Sequence, residues 1–295
     1  MLILLEHVLE AIGTENEDAI AGALRVVSRV TEHREREKIL MVLCRRDYLS
    51  IILGHMLSSN KDIRVPAAVT AGNLCNQSMK CADFFYENGI IETTAKYQSE
   101  GWVDKVNACH IICGLVESLK EFCKKFWDSE AMPSVFEALK DKHVEVERAG
   151  VNVISCAIRK ANIELITLVL KAGTLDPYFK LLLRKDEVMA IQIAEVILIL
   201  WNADKEGYLL DYFNKLFTNE QIEGLFELPH REVINKMLVL LIDNRKDTLD
   251  EHIDILDTEK VKKAVIDEEI ETYSQSVKSD PFSMGDCSRL CFSSQ

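Results

Sequence analysis

Cys109, His110 and Cys113 are the residues whose types and spacing come closest to a metal site. Residues four apart in a helix lie on one face, so Cys109 and Cys113 would present their sulfur atoms together. A zinc site has about four ligands. No second pair at a characteristic spacing occurs in the sequence. We therefore predict that these cysteines are packing residues, with His110 free to face a groove, and that the chain binds no metal and no cofactor.

Other combinations of reactive residues give equally weak evidence for a catalytic site. No local signature or orienting carboxylate accompanies a Cys–His nucleophile. Neither GxxxxGK nor GxGxxG occurs, so the sequence offers no phosphate-binding loop. The adjacent acids Glu268 and Glu269 lie in a charged run that is typical of a solvated surface, and Asp62 and Asp186 stand where they would cap helices. We predict that the protein is not an enzyme.

The elements that must position these residues repeat about every 41 residues. Each unit contains a short apolar segment, a charged break and a longer helix with small residues on its buried face. Equivalent small residues, separated by 45, 40, 41, 41 and 45 positions, are Ala23, Ala68, Ala108, Ala149, Ala190 and Asn235. Repeats of this length are typical of armadillo and HEAT proteins, whose units bury apolar faces by stacking. The sequence predicts an all-α fold, a right-handed α-solenoid of about six repeats.

Helix boundaries follow from capping residues and glycines. Asn60 or Asp62 is placed to cap the long helix of the second unit, with Pro66 in its first turn. Gly89 and Gly173, 84 residues apart, stand where a left-handed residue is needed between two helices. Further long helices are predicted over residues 102–118, 143–158, 186–202 and 229–244.

Composition limits the class of partner and the compartment. The net charge of −13 on 295 residues argues against nucleic acid and suits a basic protein or peptide. Nine scattered cysteines indicate a reducing compartment, so we predict the cytoplasm, with the nucleus left open. The apolar N-terminus lacks a basic region and is interpreted as a helix, and the longest apolar run, 188–201, is too short to span a bilayer.

The sequence divides into three parts. We assign residues 1–246 to the repeat solenoid. Residues 247–271 hold ten acids and three lysines, and we assign 247–273 to acidic helices that cap the last apolar face, with recruitment of a basic partner as the alternative. Residues 274–295 form a serine-rich tail that we predict to be disordered.

The motif AAVTAGNL, from Ala67 to Leu74, resembles the third helix of an armadillo repeat in importin-α-like and vacuolar-protein-8-like proteins. That resemblance implies a concave groove in which paired tryptophans and asparagines hold an extended basic peptide. Asn73 keeps the asparagine of the motif. The tryptophan positions hold other residues, namely Val69, Cys109, Gly150 and Ile191, which argues against a conventional nuclear import adaptor.

We expect the groove to be lined from the long helices, one, two, five and about nine residues after each small residue. These positions supply the candidate protein-binding residues Thr70, Asn73, Gln77, His110, Glu117, Gln192 and Glu195. Asn73 is the strongest candidate, because a side-chain amide can pair with the N–H and C=O of a peptide. An exposed amide that binds only water is the alternative.

Three functions fit this pattern. The first is a non-enzymatic adaptor or scaffold that binds a segment of a partner protein in the groove, as importin-α-like proteins do. The second is an armadillo-type cochaperone, an Hsp70 nucleotide-exchange factor, that grips a folded domain. The third is a regulatory subunit of an enzyme. The sequence leaves the choice among them and the oligomeric state open.

Overall fold

The computed structural model describes residues 2–31, 40, 42–184, 186–204, 207–218 and 221. Over these residues the secondary structure is helical and contains no strand. None of the helices in this described part is long and apolar enough to cross a membrane. The chain divides into two compact units, Met1–Asn162 and Ile163–Gln295.

Helices of the first unit alternate between short and long. Its helices are α1 (Leu2–Ile12), α2 (Glu17–Thr31), α3 (Arg46–His55), α4 (Lys61–Gln77), α5 (Met79–Glu87), α6 (Ile90–Lys96), α7 (Trp102–Ser118), α8 (Lys120–Lys125), α9 (Ala131–Ala138) and α10 (Val144–Lys160). Short 3₁₀ turns, Tyr97–Ser99 and Phe126–Asp128, follow α6 and α8. We call α2, α4, α7 and α10 the long helices. α4 packs against both α2 and α7, and α7 packs against α10.

The described part of the second unit continues the same alternation. It contains α11 (Ile163–Ala172), α12 (Asp176–Lys180), a 3₁₀ turn at Leu181–Leu183, α13 (Glu187–Ala203) and α14 (Tyr208–Leu216). The predicted helix over 229–244, the sixth repeat with Asn235, the acidic capping segment 247–273 and the tail 274–295 lie outside the described residues.

Local signals in the sequence act largely as predicted. The Asn60 side chain accepts a hydrogen bond from the backbone N–H of Asp62 at 2.9 Å and thereby caps α4. Gly89 and Gly173 adopt left-handed φ values of 84° and 65°, and each follows one short helix and precedes another. The prediction for Pro66 is wrong: the helix begins at Lys61, so this proline lies inside α4 rather than in its first turn.

The small residues mark the close packing of the long helices, with one correction. Ala68 and Ala108 are fully buried, and Ala23 and Ala190 are nearly so. Ala149 is only half-buried. Its neighbour Gly150 is the tightly packed residue, because a Cβ built there would lie 3.0 Å from Leu139 Cδ2. The predicted register of the fourth repeat is therefore wrong by one residue.

Two glycines allow α4 and α7 to approach closely. A Cβ on Gly114 would lie 2.9 Å from Cys75 Cβ and 3.0 Å from the backbone nitrogen of Asn76. A Cβ on Gly72 would overlap the ring of His110. The close approach of α4 and α7 thus requires glycine, which has no side chain, at these two positions.

Ion pairs link successive long helices near their N-terminal halves. Arg25 contacts Asp62 at 2.9 Å across α2 and α4, and both side chains are exposed. Arg64 Nε donates to Asp104 Oδ1 at 3.0 Å across α4 and α7, and the Asp104 side chain is only 1% exposed. Because the Arg64–Asp104 pair is almost free of solvent, it fixes the register of the two helices more strongly than the exposed pair does.

Candidate functional site

Polar side chains that reach the surface lie on three successive long helices of the first unit. Asn76 comes from α4, His110 and Glu117 come from α7, and Asn152 and Arg159 come from α10. Glu117 is exposed and the other four are half-buried. We call these five residues the polar strip. The strip presents amide, imidazole, carboxylate and guanidinium groups, which together donate and accept hydrogen bonds.

Contacts between neighbouring helices hold the strip together. Across the α4–α7 interface His110 Nε2 donates to Asn73 Oδ1 at 3.2 Å, so its 3.4 Å approach to the donor Asn76 Nδ2 is a packing contact. On the other side of α7, Asn152 Nδ2 donates to Cys113 Sγ at 3.3 Å. Burial lowers the pKa of His110, although the nearby Glu117 carboxylate acts in the opposite direction. The imidazole is therefore neutral at physiological pH and has one donor and one acceptor nitrogen.

Asn73 and Thr70, both predicted to line a groove, point into the fold instead. Asn73 is buried, and its Nδ2 donates to Thr31 Oγ1 at 3.0 Å on α2. Its Oδ1 lies 3.2 Å from His110 Nε2 on α7. The Thr70 hydroxyl is fully buried and donates to the carbonyl of Pro66. The Asn73 amide is thus engaged in joining three helices, and Thr70 does not reach the surface.

Gln77 joins α4 to α2 at the edge of the strip. Its Nε2 donates to the carbonyl of Thr31 at 2.6 Å, while its Oε1 is buried without a protein partner. The remaining predicted residues, Gln192 and Glu195, lie half-buried on α13 of the second unit, three positions apart on one helix. Of the predicted set, only His110 and Glu117 belong to the polar strip.

The cysteines of α7 differ from the arrangement considered in the sequence. Cys109 is buried, and this burial raises the pKa of its thiol to about 12, so it is a packing residue as predicted. Cys113 does not share a site with Cys109 but lies against Cys156 of α10, with 3.1 Å between the two sulfur atoms. Cys156 Sγ also lies 3.2 Å from Glu117 Oε1.

The corrected register explains why two residues of the strip were missed. Counting from Gly150 instead of Ala149, the position two residues on is Asn152 and the position nine residues on is Arg159. These are the positions that His110 and Glu117 occupy when counted from Ala108. In both repeats the positions two and nine residues on therefore reach the surface once the closely packed residue is identified. The positions one and five residues on are buried, at Cys109, Cys113, Val151 and Ser155.

Comparison with known proteins relates the chain to armadillo repeats at the level of the fold. No protein-family profile and no curated protein sequence matches it. A designed armadillo repeat protein superimposes with a TM-score of 0.66 at 19% identity, over 81% of this chain and 98% of that one. A second designed armadillo repeat protein, in complex with the peptide (KR)4, superimposes with a TM-score of 0.67 at 18% identity, again over 81% of this chain and 98% of that one. The protein is an all-α solenoid with an armadillo-like repeat fold.

Proposed function

We propose that the protein is a non-enzymatic scaffold that binds an extended segment of a partner protein along the polar strip. The armadillo-like fold supports protein binding in general, because stacked repeats offer a long surface built from equivalent positions. The narrower proposal, that the partner is an extended and basic peptide, depends on the residues of the strip.

The observation that carries the proposal is the row of half-buried and exposed polar groups on successive long helices. Asn76 and Asn152 each carry an amide whose Nδ2 already donates one hydrogen bond, to the Gly72 carbonyl and to Cys113 Sγ respectively. The second N–H of each amide can donate to a peptide carbonyl, and the Oδ1 can accept from a peptide N–H. The helices that bear them flank α7, so the amides stand on either side of His110 and Glu117. A peptide crossing α4, α7 and α10 would meet at least one polar group of the strip on each of these helices.

The charge of the chain favours a basic peptide. Glu117 is exposed in the middle of the strip, and the whole molecule carries a net charge of −13. Opposite charges attract the partner over long range and are screened by salt. A designed neighbour with the same fold is described in complex with (KR)4, a basic peptide. We therefore propose that a Lys or Arg side chain of the partner pairs with Glu117.

Fluorescence anisotropy with labelled (KR)4 tests the proposal on the full chain, in the presence of a chelator. We expect saturable binding that weakens as the salt concentration rises. Asn76→Ala and Glu117→Gln should each weaken binding, the latter by about two- to fivefold, which corresponds to an exposed ion pair of up to about 1 kcal/mol. Asp83→Asn is the matched control, because Asp83 is an exposed acid on α5, outside the strip.

Two outcomes would contradict the proposal. Binding of (KR)4 that responds equally to Asp83→Asn and Glu117→Gln would indicate attraction by net charge alone. No binding of (KR)4, together with tight binding of a folded domain such as an Hsp70 nucleotide-binding domain, would favour the cochaperone function instead.

We also propose that the protein works in a reducing compartment, the cytoplasm or the nucleus. The described residues include seven free cysteines, most of them buried among apolar side chains. A fluorescent fusion with fractionation tests this localisation, and a protein recovered only from an oxidising compartment would contradict it.

A further inference from the structure

We propose that Cys113, Cys156 and Glu117 form a zinc-binding site that joins two successive repeats. The site shares Glu117 with the polar strip, so a bound ion and a basic side chain of the partner would compete for this carboxylate. Metal binding is measured without peptide, and its test therefore does not depend on the proposed function. Cys113 and Glu117 lie one turn apart on α7, and Cys156 faces them from α10. Their ligand atoms all lie within 4.8 Å of one another.

The distances between the donor atoms are close to those of a zinc site. Ligands at the usual Zn–S and Zn–O lengths in a tetrahedron stand about 3.8 Å apart for two sulfurs and about 3.6 Å apart for sulfur and oxygen. The observed separations are 3.1 Å between the sulfurs and 3.2 Å from Cys156 Sγ to Glu117 Oε1. For these two pairs an ion has to separate the atoms by only about 0.4–0.7 Å, and the third pair, Cys113 and Glu117, lies within 4.8 Å. Side-chain rotation supplies shifts of this size.

The donor types select a soft or borderline divalent ion. Thiolates favour zinc and exclude magnesium and calcium, which require oxygen ligands. Both sulfurs are nearly buried, with 4% exposure for Cys113 and 3% for Cys156, whereas Glu117 is exposed. The carboxylate thus stands on the solvent side of the sulfurs, where an ion enters. Three protein ligands leave the fourth position of the tetrahedron to water.

Neighbouring side chains support the two sulfurs in the form that binds metal. Asn152 Nδ2 donates to Cys113 Sγ at 3.3 Å and orients this ligand from the second helix. Arg159 Nη2 lies 3.9 Å from Cys156 Sγ. Two thiolates and one carboxylate carry three negative charges, so the site with a divalent ion has a net charge of −1. The positive charge of the Arg159 guanidinium offsets this remaining charge. Because both thiols must lose their protons, binding releases protons and weakens as the pH falls.

A disulfide between the two cysteines is the competing use of this pair. It would need a two-electron oxidant, which the reducing compartment proposed above does not favour, and the 3.1 Å separation is that of two unbonded thiols. A disulfide also gives no role to Glu117, which points its carboxylate at Cys156. The three-donor geometry therefore favours metal binding over oxidation.

Titration of the reduced, metal-free, full-length protein with Co²⁺ tests the site. We expect a thiolate-to-cobalt charge-transfer band and the visible bands of a tetrahedral ion, saturating at one ion per chain and bleached by Zn²⁺. Cys113→Ser and Cys156→Ser should each abolish the charge-transfer band of the site. Cys109→Ser is the matched control and should keep it, since Cys109 lies on the same helix but outside the cluster.

Glu117→Gln keeps the test decisive if a serine variant fails to fold. Glu117 is exposed, so this substitution should leave the circular dichroism spectrum unchanged while weakening Co²⁺ binding about tenfold or more. Zinc should also raise the melting temperature of the wild-type protein, because it binds only the folded state. A spectrum without thiolate charge transfer, or one that all three substitutions leave unchanged, would overturn the proposal.

Discussion

Replacement of Gly114 by alanine tests the close approach of α4 and α7. The added Cβ would lie 2.9 Å from Cys75 Cβ and 3.0 Å from the backbone nitrogen of Asn76. Carbon atoms pack best at about 3.5–4.0 Å, so α4 would have to retreat by more than half an ångström. The obstructing atoms include backbone, which cannot rotate aside as a flexible side chain can. We therefore expect overpacking to cost about 1–3 kcal/mol.

A matched control separates this cost from the helix propensity of alanine. Gly22 lies inside α2, is exposed, and a Cβ there meets nothing within 4 Å. Gly22→Ala should stabilise the protein by about 1 kcal/mol, because alanine favours the helix over glycine. Gly114→Ala gains the same helix-propensity contribution to the free energy of unfolding but loses about 1–3 kcal/mol of it to overpacking. Its net effect on stability therefore lies between about zero and a loss of about 2 kcal/mol.

Urea denaturation followed by circular dichroism measures the difference between the two variants. We expect the unfolding midpoint of Gly114→Ala to lie below that of Gly22→Ala at an unchanged m value. The difference in the free energy of unfolding should be about 1–3 kcal/mol. Equal stabilisation by the two substitutions would refute the packing argument, because it would mean that α7 has room for a methyl group at Gly114.

Three further predictions concern polar side chains that are buried or half-buried. Asp104→Asn removes the buried carboxylate of the Arg64 pair and leaves the exposed Glu100, 3.3 Å from Arg64, as the remaining counter-ion. Urea denaturation should show a loss of about 1–3 kcal/mol, and an unchanged free energy of unfolding would contradict the buried ion pair. A hydrogen bond with Cys81 lowers the pKa of Cys44 to about 6. The rate at which iodoacetamide alkylates Cys44 should therefore reach half its maximum near pH 6. Cys81→Ala removes this hydrogen bond and should move the midpoint to higher pH. Burial lowers the pKa of His110, so the unfolded state binds a proton that the folded state does not. Stability should therefore fall as the pH drops below about 6.5, and His110→Gln should reduce this dependence.

The repeat architecture could be predicted because it depends on periodic spacing of residues and on local turn and capping residues, both of which are visible in the sequence. The spacing of small residues identified the long helices, and predicted bounds such as 102–118 agree with the structure. Gly89 and Gly173 were assigned correctly, since a left-handed backbone strongly favours glycine. In the fourth repeat, Ala149 and Gly150 stand side by side and either could pack against the preceding helix. Only the position of Leu139, the residue that follows α9, decides between them.

The candidate site was harder to predict, because its contacts join residues about one repeat apart. Cys113 and Cys156 are separated by 43 residues, so a search for local pairs finds Cys109 instead. Asn73 matched a surface motif, yet its amide is buried by Thr31 of the preceding long helix, which supplies a hydroxyl within hydrogen-bonding distance. Whether a polar side chain faces inward or outward thus depends on its neighbour in the next repeat.

Photo-crosslinking of (KR)4 to the full chain tests the central claim most directly, since it locates the bound peptide on the protein surface. A peptide carrying a benzophenone group at one end would be irradiated in the complex, and the modified residues would be identified by mass spectrometry. We expect crosslinks to α4, α7 and α10 near the polar strip, competed by unlabelled (KR)4. Crosslinks confined to the acidic run 247–271, or to the short helices α5, α6 and α9, would contradict the assignment of the binding face.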